Sequence, residues 1–459
     1  MAGAPAPSRP PVAPGAADRR DRLIVFARSP EPGRVKTRLI PALGPAGTAQ
    51  LHWEMILRTL STAKRFRSSS GAKIEVRLAD GEGHGDLQCV GRGFVFERQS
   101  GDDLGERLDN AVREAFRDGA HRVLVIGTDC PELDPALLEQ ARDLLRNADL
   151  VLGPALDGGY YLIGMREYRR ELFKGIAWGT EAVLRQTEEA ARQAGLTTHL
   201  LRPLADIDHP EDLLAWRRLV GHLPSLGPHD RPGVISIVVP VVNEASRIDR
   251  TLRSLVDAED VEVIIVDGGS EDGTVDIAST FNVRVISTRR GRGRQMNAGA
   301  AVATGEVLLF LHADTRLPGR FQQTVHSTLD SGCSAGAFRL SIDGERRGLR
   351  WIEWGANLRS RLLQLPYGDQ GLFLRAKQFY RMGGFADLPL MEDFEFCRRL
   401  RRTGRIAIAP CAVSTSARRW LALGLLRTTL VNQFCIAGYM LGIPLRRLSR
   451  LYSHDSVGE

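Results

Sequence analysis

At 459 residues the chain exceeds one ordinary core, and its length points to two or three domains. With 43% hydrophobic and 25% charged residues it has the composition of a globular protein, which excludes a wholly disordered chain. The formal charge of +7 suits anionic ligands such as nucleotides, but with 6% aromatic residues and no helix-turn-helix, zinc-finger or RNP pattern nothing supports a nucleic-acid partner.

Residues 1–20, rich in Pro and Ala, lack a continuous apolar core, and they are expected to be a disordered tail rather than a signal peptide or anchor. From there apolar β-branched runs alternate with amphipathic stretches almost throughout, which predicts βαβ units and a mostly parallel sheet. The pattern starts twice, at Arg22 and at Val234. A Gly- and Pro-bearing segment, 221–233, separates the two starts and is expected to be a linker between domains at 21–220 and 234–459.

In the first domain, strand 22–27 runs into a loop carrying Arg34, Lys36 and Arg38, whose cations suit a triphosphate. It is not a Walker A loop, and its plain alternative is a solvated basic surface. Strand 122–127 delivers Asp129 to a strand terminus, and Asp208 stands just before a later helix. Two such carboxylates can share one Mg²⁺. Asp157, in the glycine-flanked loop 153–161, is placed to meet a sugar or second substrate.

In the second domain, strand 234–240 is followed by Asn243 and Glu244 and by a helix with Ile248, Leu252 and Leu255 on one face. Strand 261–266 ends in Asp267-Gly268-Gly269, a carboxylate at a ligand-binding sheet rim beside glycines that let a nucleotide approach the backbone. The Gly- and Arg-rich run 289–299 holds Arg292, Arg294 and Asn297, suited to phosphates and sugar hydroxyls. Strand 306–311 ends in His312-Ala313-Asp314, and Asp314 is a carboxylate ligand for Mg²⁺ or Mn²⁺ beside a departing diphosphate. Glu392 and Asp393 open a helix, as dipole partners or, for Asp393, as a general base. Trp420 offers a stacking face for an acceptor, with core packing the alternative.

These residues, in this order, resemble glycosyltransferase family 2 over essentially all of 234–420. The resemblance implies a GT-A fold, with Asn243, Glu244 and Asp267 on the nucleotide, Asp314 on the metal, Asp393 as base and inversion at the anomeric carbon. The usual D-x-D is here His312-Ala313-Asp314, with a single carboxylate. The Q-x-x-R-W of processive members is reduced to Arg419 and Trp420, with Ser416 at the Gln position, so transfer of one sugar is expected. Together with FLHADT and the GDQG of 368–371, where Asp369 falls on the acceptor side, these elements resemble a bacterial subgroup linked by name to arsenosugar biosynthesis. Over 22–215, Lys36-Thr-Arg-Leu39 and Asp206-Ile-Asp-His-Pro-Glu-Asp-Leu213 resemble the molybdenum-cofactor and phospholactate guanylyltransferase type of nucleotidyltransferase, with His209 for the usual Thr.

The fold expected is therefore α/β, with two tandem GT-A, Rossmann-like, mostly parallel sheets. The expected function is bifunctional. The second half transfers a sugar from a nucleotide-sugar to a small-molecule or lipid hydroxyl, and the first half binds a nucleotide and forms the activated sugar, its resemblance leaving open transfer of a nucleotidyl group or of a sugar. The alternative is that one half is a non-catalytic nucleotide-binding or membrane-recruiting scaffold. Six scattered cysteines without paired spacing fit a reducing cytoplasm. Residues 420–450, apolar but interrupted and ending in Arg446-Arg-Leu-Ser-Arg450, read as amphipathic helices packed on the domain or peripheral to the inner face of a membrane.

Overall fold

The computed structural model of the chain describes residues 21–79, 93–221, 223, 231–256, 258–344, 346–418, 420, 424–445 and 447–448. The expected tail, 1–20, most of the expected linker and Arg419 lie outside the described residues. Residues up to Val35 together with His52–Asp206 make one compact unit, and Lys36–Leu51 with Ile207 onward make the other.

The first unit holds β1 (Arg22–Ala27), most of α1 (Ile40–Ser70), β2 (Lys73–Leu78), β3 (Val95–Arg98), α2 (Leu104–Arg117), β4 (Val123–Ile126), α3 (Pro135–Leu144), β5 (Leu150–Pro154), β6 (Tyr160–Met165), α4 (Val183–Gln193) and β7 (Thr198–Leu200). Its sheet runs β3-β2-β1-β4-β6-β5-β7. The first four strands are mutually parallel, and β6 is antiparallel to both neighbours. Strands buried on both faces need apolar residues at every position. In β1, Leu23, Val25 and Ala27 enter one core while Ile24 joins Val123 and Val125 in the other. Helices start where short acids accept orphan amide hydrogens: Asp103 from Glu106 N–H and Asp134 from Leu137 N–H.

The second unit holds α5 (Leu213–Val220), β8 (Arg231–Val241), α6 (Ala245–Arg253), β9 (Val261–Asp267), α7 (Thr274–Ser279), β10 (Arg284–Ser287), α8 (Arg292–Val302), β11 (Gly305–Phe310), β12 (Thr315–Arg316), α9 (Phe321–Asp330), β13 (Ala335–Asp343), α10 (Arg347–Leu363), β14 (Leu372–Arg375), α11 (Ala376–Met382), α12 (Glu392–Leu400), β15 (Ile406–Ser416) and α13 (Leu425–Met440). Its sheet runs β10-β9-β8-β11-β14-β13-β15-β12. Again the first four strands are parallel, and β14 is antiparallel to its neighbours. With β12 set aside as an added edge, β8–β11 repeat the order of β1–β4, and β14, β13 and β15 repeat that of β6, β5 and β7. The architecture is the pair of tandem, mostly parallel sheets expected from the alternation of strands and helices, and it is the GT-A arrangement that the resemblance implies.

Compact packing divides the chain before the Gly- and Pro-rich segment, because α5 joins the second unit. Arg217, nearly fully buried, donates to the carbonyls of Ala300, Ala301 and Ala303 at 2.8, 2.8 and 2.9 Å, closing the last turn of α8. Against the sheet α8 presents Gly299, where a Cβ would stand 2.3 Å from Val238 Cγ1, so only glycine allows this approach.

Candidate active site

In a parallel α/β sheet, loops at the carboxyl ends of the strands form the crevice that binds ligands. In the second unit β8, β9 and β11 all end at one rim. After β8, Asn243 adopts a left-handed φ of 54°. Its N–H donates to Ser270 Oγ (2.9 Å), and its Oδ1 accepts from Glu271 N–H (2.9 Å). Asp267, buried at the end of β9, accepts from Gly269 N–H (2.9 Å) and Ser270 N–H (3.0 Å). Asn243 and Asp267 thus set the shape of this rim. Gly268 is required here, since a Cβ would lie 2.8 Å from Val242 Cγ2 and 3.0 Å from Gln295. Gln295 ties the strand ends together, donating through Nε2 to Val241 O and Val266 O.

Past this rim opens a cleft of about 690 Å³ whose lining includes Glu244, Arg292, Asp314, Asp369, Asp393 and Trp420. Glu392 lines it too, buried, with Oε1 3.4 Å from Arg292 Nη1. Burial raises the Glu392 carboxyl, and Arg292 opposes the rise. Asp393 is oriented by the Gly368 N–H, which donates to its Oδ2 at 2.7 Å. Gly368 also touches His312, since a Cβ there would lie 2.8 Å from His312 Nε2 and 3.3 Å from Asp393 Oδ2. The 367–370 turn is anchored by Gln370, which accepts from Ser360 Oγ (2.6 Å) and donates to Phe338 O (3.0 Å).

Enclosed polar atoms normally have partners. Here His312 Nε2, Tyr367 Oη and Asp369 Oδ1 have none. Burial pushes the His312 imidazole down to about 3, so it is neutral and its ring can offer a lone pair. Burial pushes the Asp369 carboxyl up to about 6, with Arg359 opposing and Asp393 and Asp314 adding to the rise. Arg359 stacks 3.4 Å over the Tyr367 ring. Among the described residues no group of three His, Cys, Asp or Glu side chains is arranged to hold a metal ion. The donor set still fits a hard cation that takes most of its ligands from a diphosphate and water, because carboxylate oxygen and neutral imidazole are both available at the cleft.

Of the seven expected nucleotide-sugar contacts only Glu244 and Arg292 line this cleft; Asn243, Asp267 and Gly268 shape the rim behind it, and Arg294 and Asn297 stand apart. Arg294 pairs with Asp387 at 2.6 Å, and Asn297 bonds in both directions with the Phe385 backbone, so both fix the 385–387 segment to α8. Sequence reasoning gave no role to Gln295 or Tyr367, nor to Gln370 within the GDQG of 368–371. The signal available for Gln295 was an uncharged polar residue inside an otherwise basic run.

In the first unit, Asp129 is exposed in the turn after β4. Asp157 is exposed between β5 and β6 and accepts from Gly159 N–H at 2.8 Å. Arg34 is exposed and pairs with Glu31 at 3.0 Å. In the second unit, Lys36, left-handed at φ 43° and only 5% exposed in its side chain, donates to Asp208 Oδ1 at 2.9 Å. Arg38 Nη1 lies 3.7 Å from Asp208 Oδ2. The structure therefore brings Lys36, Arg38 and Asp208 together.

Residues 236–386 match the family described as Glycosyl transferase family 2, and residues 62–180 match one described as an uncharacterised protein conserved in bacteria (DUF2064). The second unit carries a glycosyltransferase family 2 domain. The family 2 domain supplies every cleft residue named above except Glu392, Asp393 and Trp420, which follow the matched segment. Among similar proteins, a PGL/p-HBAD biosynthesis glycosyltransferase of Mycobacterium bovis is 40% identical over 93 residues, 18% of this chain and 36% of that protein. An uncharacterised glycosyltransferase of Nostoc is 34% identical over 89 residues, 17% of this chain and 28% of its own length. The chain thus spans about a third of the length of the curated relatives it matches. A candidate nucleotide-diphospho-sugar transferase from Desulfovibrio desulfuricans, solved as a crystal structure, shares 32% identity over 43% of this chain and 87% of its own, with a TM-score of 0.40.

Proposed function

We propose that the family 2 domain transfers one sugar from a nucleotide-sugar to an acceptor hydroxyl, with inversion. The observation that carries this reading is Asp393 held by the Gly368 N–H in the wall of the cleft that also contains Asp314. The acceptor oxygen bonds to the anomeric carbon as the bond from that carbon to the diphosphate oxygen breaks. The acceptor's proton passes to the Asp393 carboxylate. Arg292, with Arg290 and Arg418 on the same lining, meets the phosphates. Asp314 would hold Mg²⁺ or Mn²⁺ together with diphosphate and water oxygens, and the ion would neutralise charge on the departing diphosphate. Trp420 gives the acceptor an apolar face. Arsenosugar formation in a bacterial cytoplasm belongs to the same proposal, through the subgroup resemblance. Among the described residues no helix is long and apolar enough to cross a membrane.

For the first unit we propose a second nucleotide site that forms the activated sugar. Its support is the repeated strand order, which puts Asp129 past β4 as Asp314 stands past β11. The scaffold reading is favoured by one observation: Lys36 and Asp208, the expected phosphate and metal ligands, neutralise each other.

The test is the thermal stability of the full chain with nucleoside diphosphates, with and without Mn²⁺. Stabilisation that requires the metal is expected. Asp393→Asn should keep it while slowing transfer by about 10²–10⁴-fold. Equal loss of binding and turnover in that variant removes Asp393 as the base. The absence of any nucleotide response removes the transfer reading.

A further inference from the structure

Two helices of the second unit turn apolar side chains to solvent. On α10, Trp351, Trp354, Leu358 and Leu362 follow at spacings of three and four, which puts them on one face. Trp351 is 74% exposed and Leu362 71%. The opposite face of α10 packs Leu349, Ile352 and Ala356 against β13. On α13, Leu430 and Phe434 form a second exposed stripe that continues to Leu441, 81% exposed, just past the helix end. The two helices touch. Contiguous exposed apolar surface of this kind marks an interaction site.

Charge decides what covers it. The one acid within α10, Glu353, turns inward, accepting from the Ile342 N–H and pairing with Arg350. From Ala417 to Ser453 the sequence has no Asp or Glu but six arginines: Arg418, Arg419, Arg427, Arg446, Arg447 and Arg450. Arg361 and Arg447 are exposed. A second copy of the same surface would set arginine against arginine, since a two-fold interface is self-complementary. Exposed tryptophan and leucine together with the exposed Arg361 and Arg447 suit the boundary of an anionic bilayer, where indole rings sit at headgroup level and each cation adds attraction.

We propose that α10 and α13 form a platform that seats the protein on an anionic lipid surface. The seat is peripheral, since among the described residues no helix can cross a bilayer. Residues Cys435 and Ile436 of α13 line the cleft, and the Tyr439 ring packs on Phe394 next to Asp393. The platform and the acceptor side of the cleft therefore share a helix. That the acceptor is itself lipid-borne rests on the transfer reading above, whereas the docking does not.

The test is flotation of the full chain, without donor, on phosphatidylcholine vesicles and on vesicles with about one third phosphatidylglycerol. The chain should float with the anionic vesicles and be released by salt. Trp351→Ser with Trp354→Ser should cut the bound fraction at least about fivefold. Both side chains are exposed, so the melting temperature and the nucleotide response should be unchanged. Wild-type protein that stays in solution, or a double variant that floats equally well, overturns the proposal. So does a wild-type dimer that the double variant breaks, which would assign the stripe to self-association. Loss of the nucleotide response with flotation intact would count against the transfer reading alone.

Discussion

Asp149, at the entrance to β5, shows how one side chain can fix an edge. Its Oδ2 accepts from both the N–H and the hydroxyl of Thr197, at 2.9 and 2.6 Å, before β7. These bonds, more than Arg166, pull its carboxyl down to about 2. A carboxylate depressed by folding stabilises the fold fully above its ordinary range and loses that contribution as pH falls through its folded value. Asp149→Asn should therefore lower the melting temperature at pH 7, and the gap should narrow from about pH 4 towards pH 2, a profile that scanning calorimetry can follow. A gap independent of pH would show that the bonds, not the charge, matter. At the cleft of the second unit, single residues were legible when their type is chemically unusual at its position. Asp314 and Asp393 stand out because acids at a strand end and in a helix's first turn are easily reached. Arg294 and Asn297 did not, because a basic, polar run looks the same whether it faces a diphosphate or braces the loop at Phe385.

At the level of elements, apolar periodicity marked the strands well. The run 22–27 is β1, 261–266 lies within β9, and Ile248, Leu252 and Leu255 are all fully buried behind α6. The antiparallel insertions β6 and β14 were not legible, since an apolar run buried on both faces does not carry its direction. Nor was the attachment of α5, whose sequence is an ordinary amphipathic helix before a Gly- and Pro-rich segment. It depends on Arg217, whose guanidinium also stacks 4.3 Å from the Tyr380 ring. Arg217→Met keeps the bulk but strands the carbonyls of Ala301 and Ala303 at the end of α8, whereas Ala300 O keeps the Tyr380 hydroxyl at 2.8 Å. The expected cost is about 3 kcal/mol or more. The melting transition should fall by something on the order of 5–10 °C. A fall no larger than for a surface arginine would mean that the carbonyls find other partners.

Over the whole molecule, the units repeat a strand order without a visible repeat of residues. Each sheet has its own carboxyl-end rim, so the full chain should bind about two nucleoside diphosphates, one per sheet. Titration calorimetry should find about one in Asp314→Ala and about one in Asp129→Ala. A wild-type stoichiometry of one, lost only in Asp314→Ala, would leave the first unit as scaffold. The titration needs the intact chain, because Lys36–Leu51 pack with the second unit although they precede most of the first in sequence. The repeated connectivity also bears on inheritance. A recombination that joined the coding segment through β3 to the one from β11 onward would still lay down parallel strands in the same spatial order, and would add only the short edge β12. Genes for tandem chains of this kind can therefore shorten to a single sheet, or exchange their halves, in one event that leaves the folding plan intact.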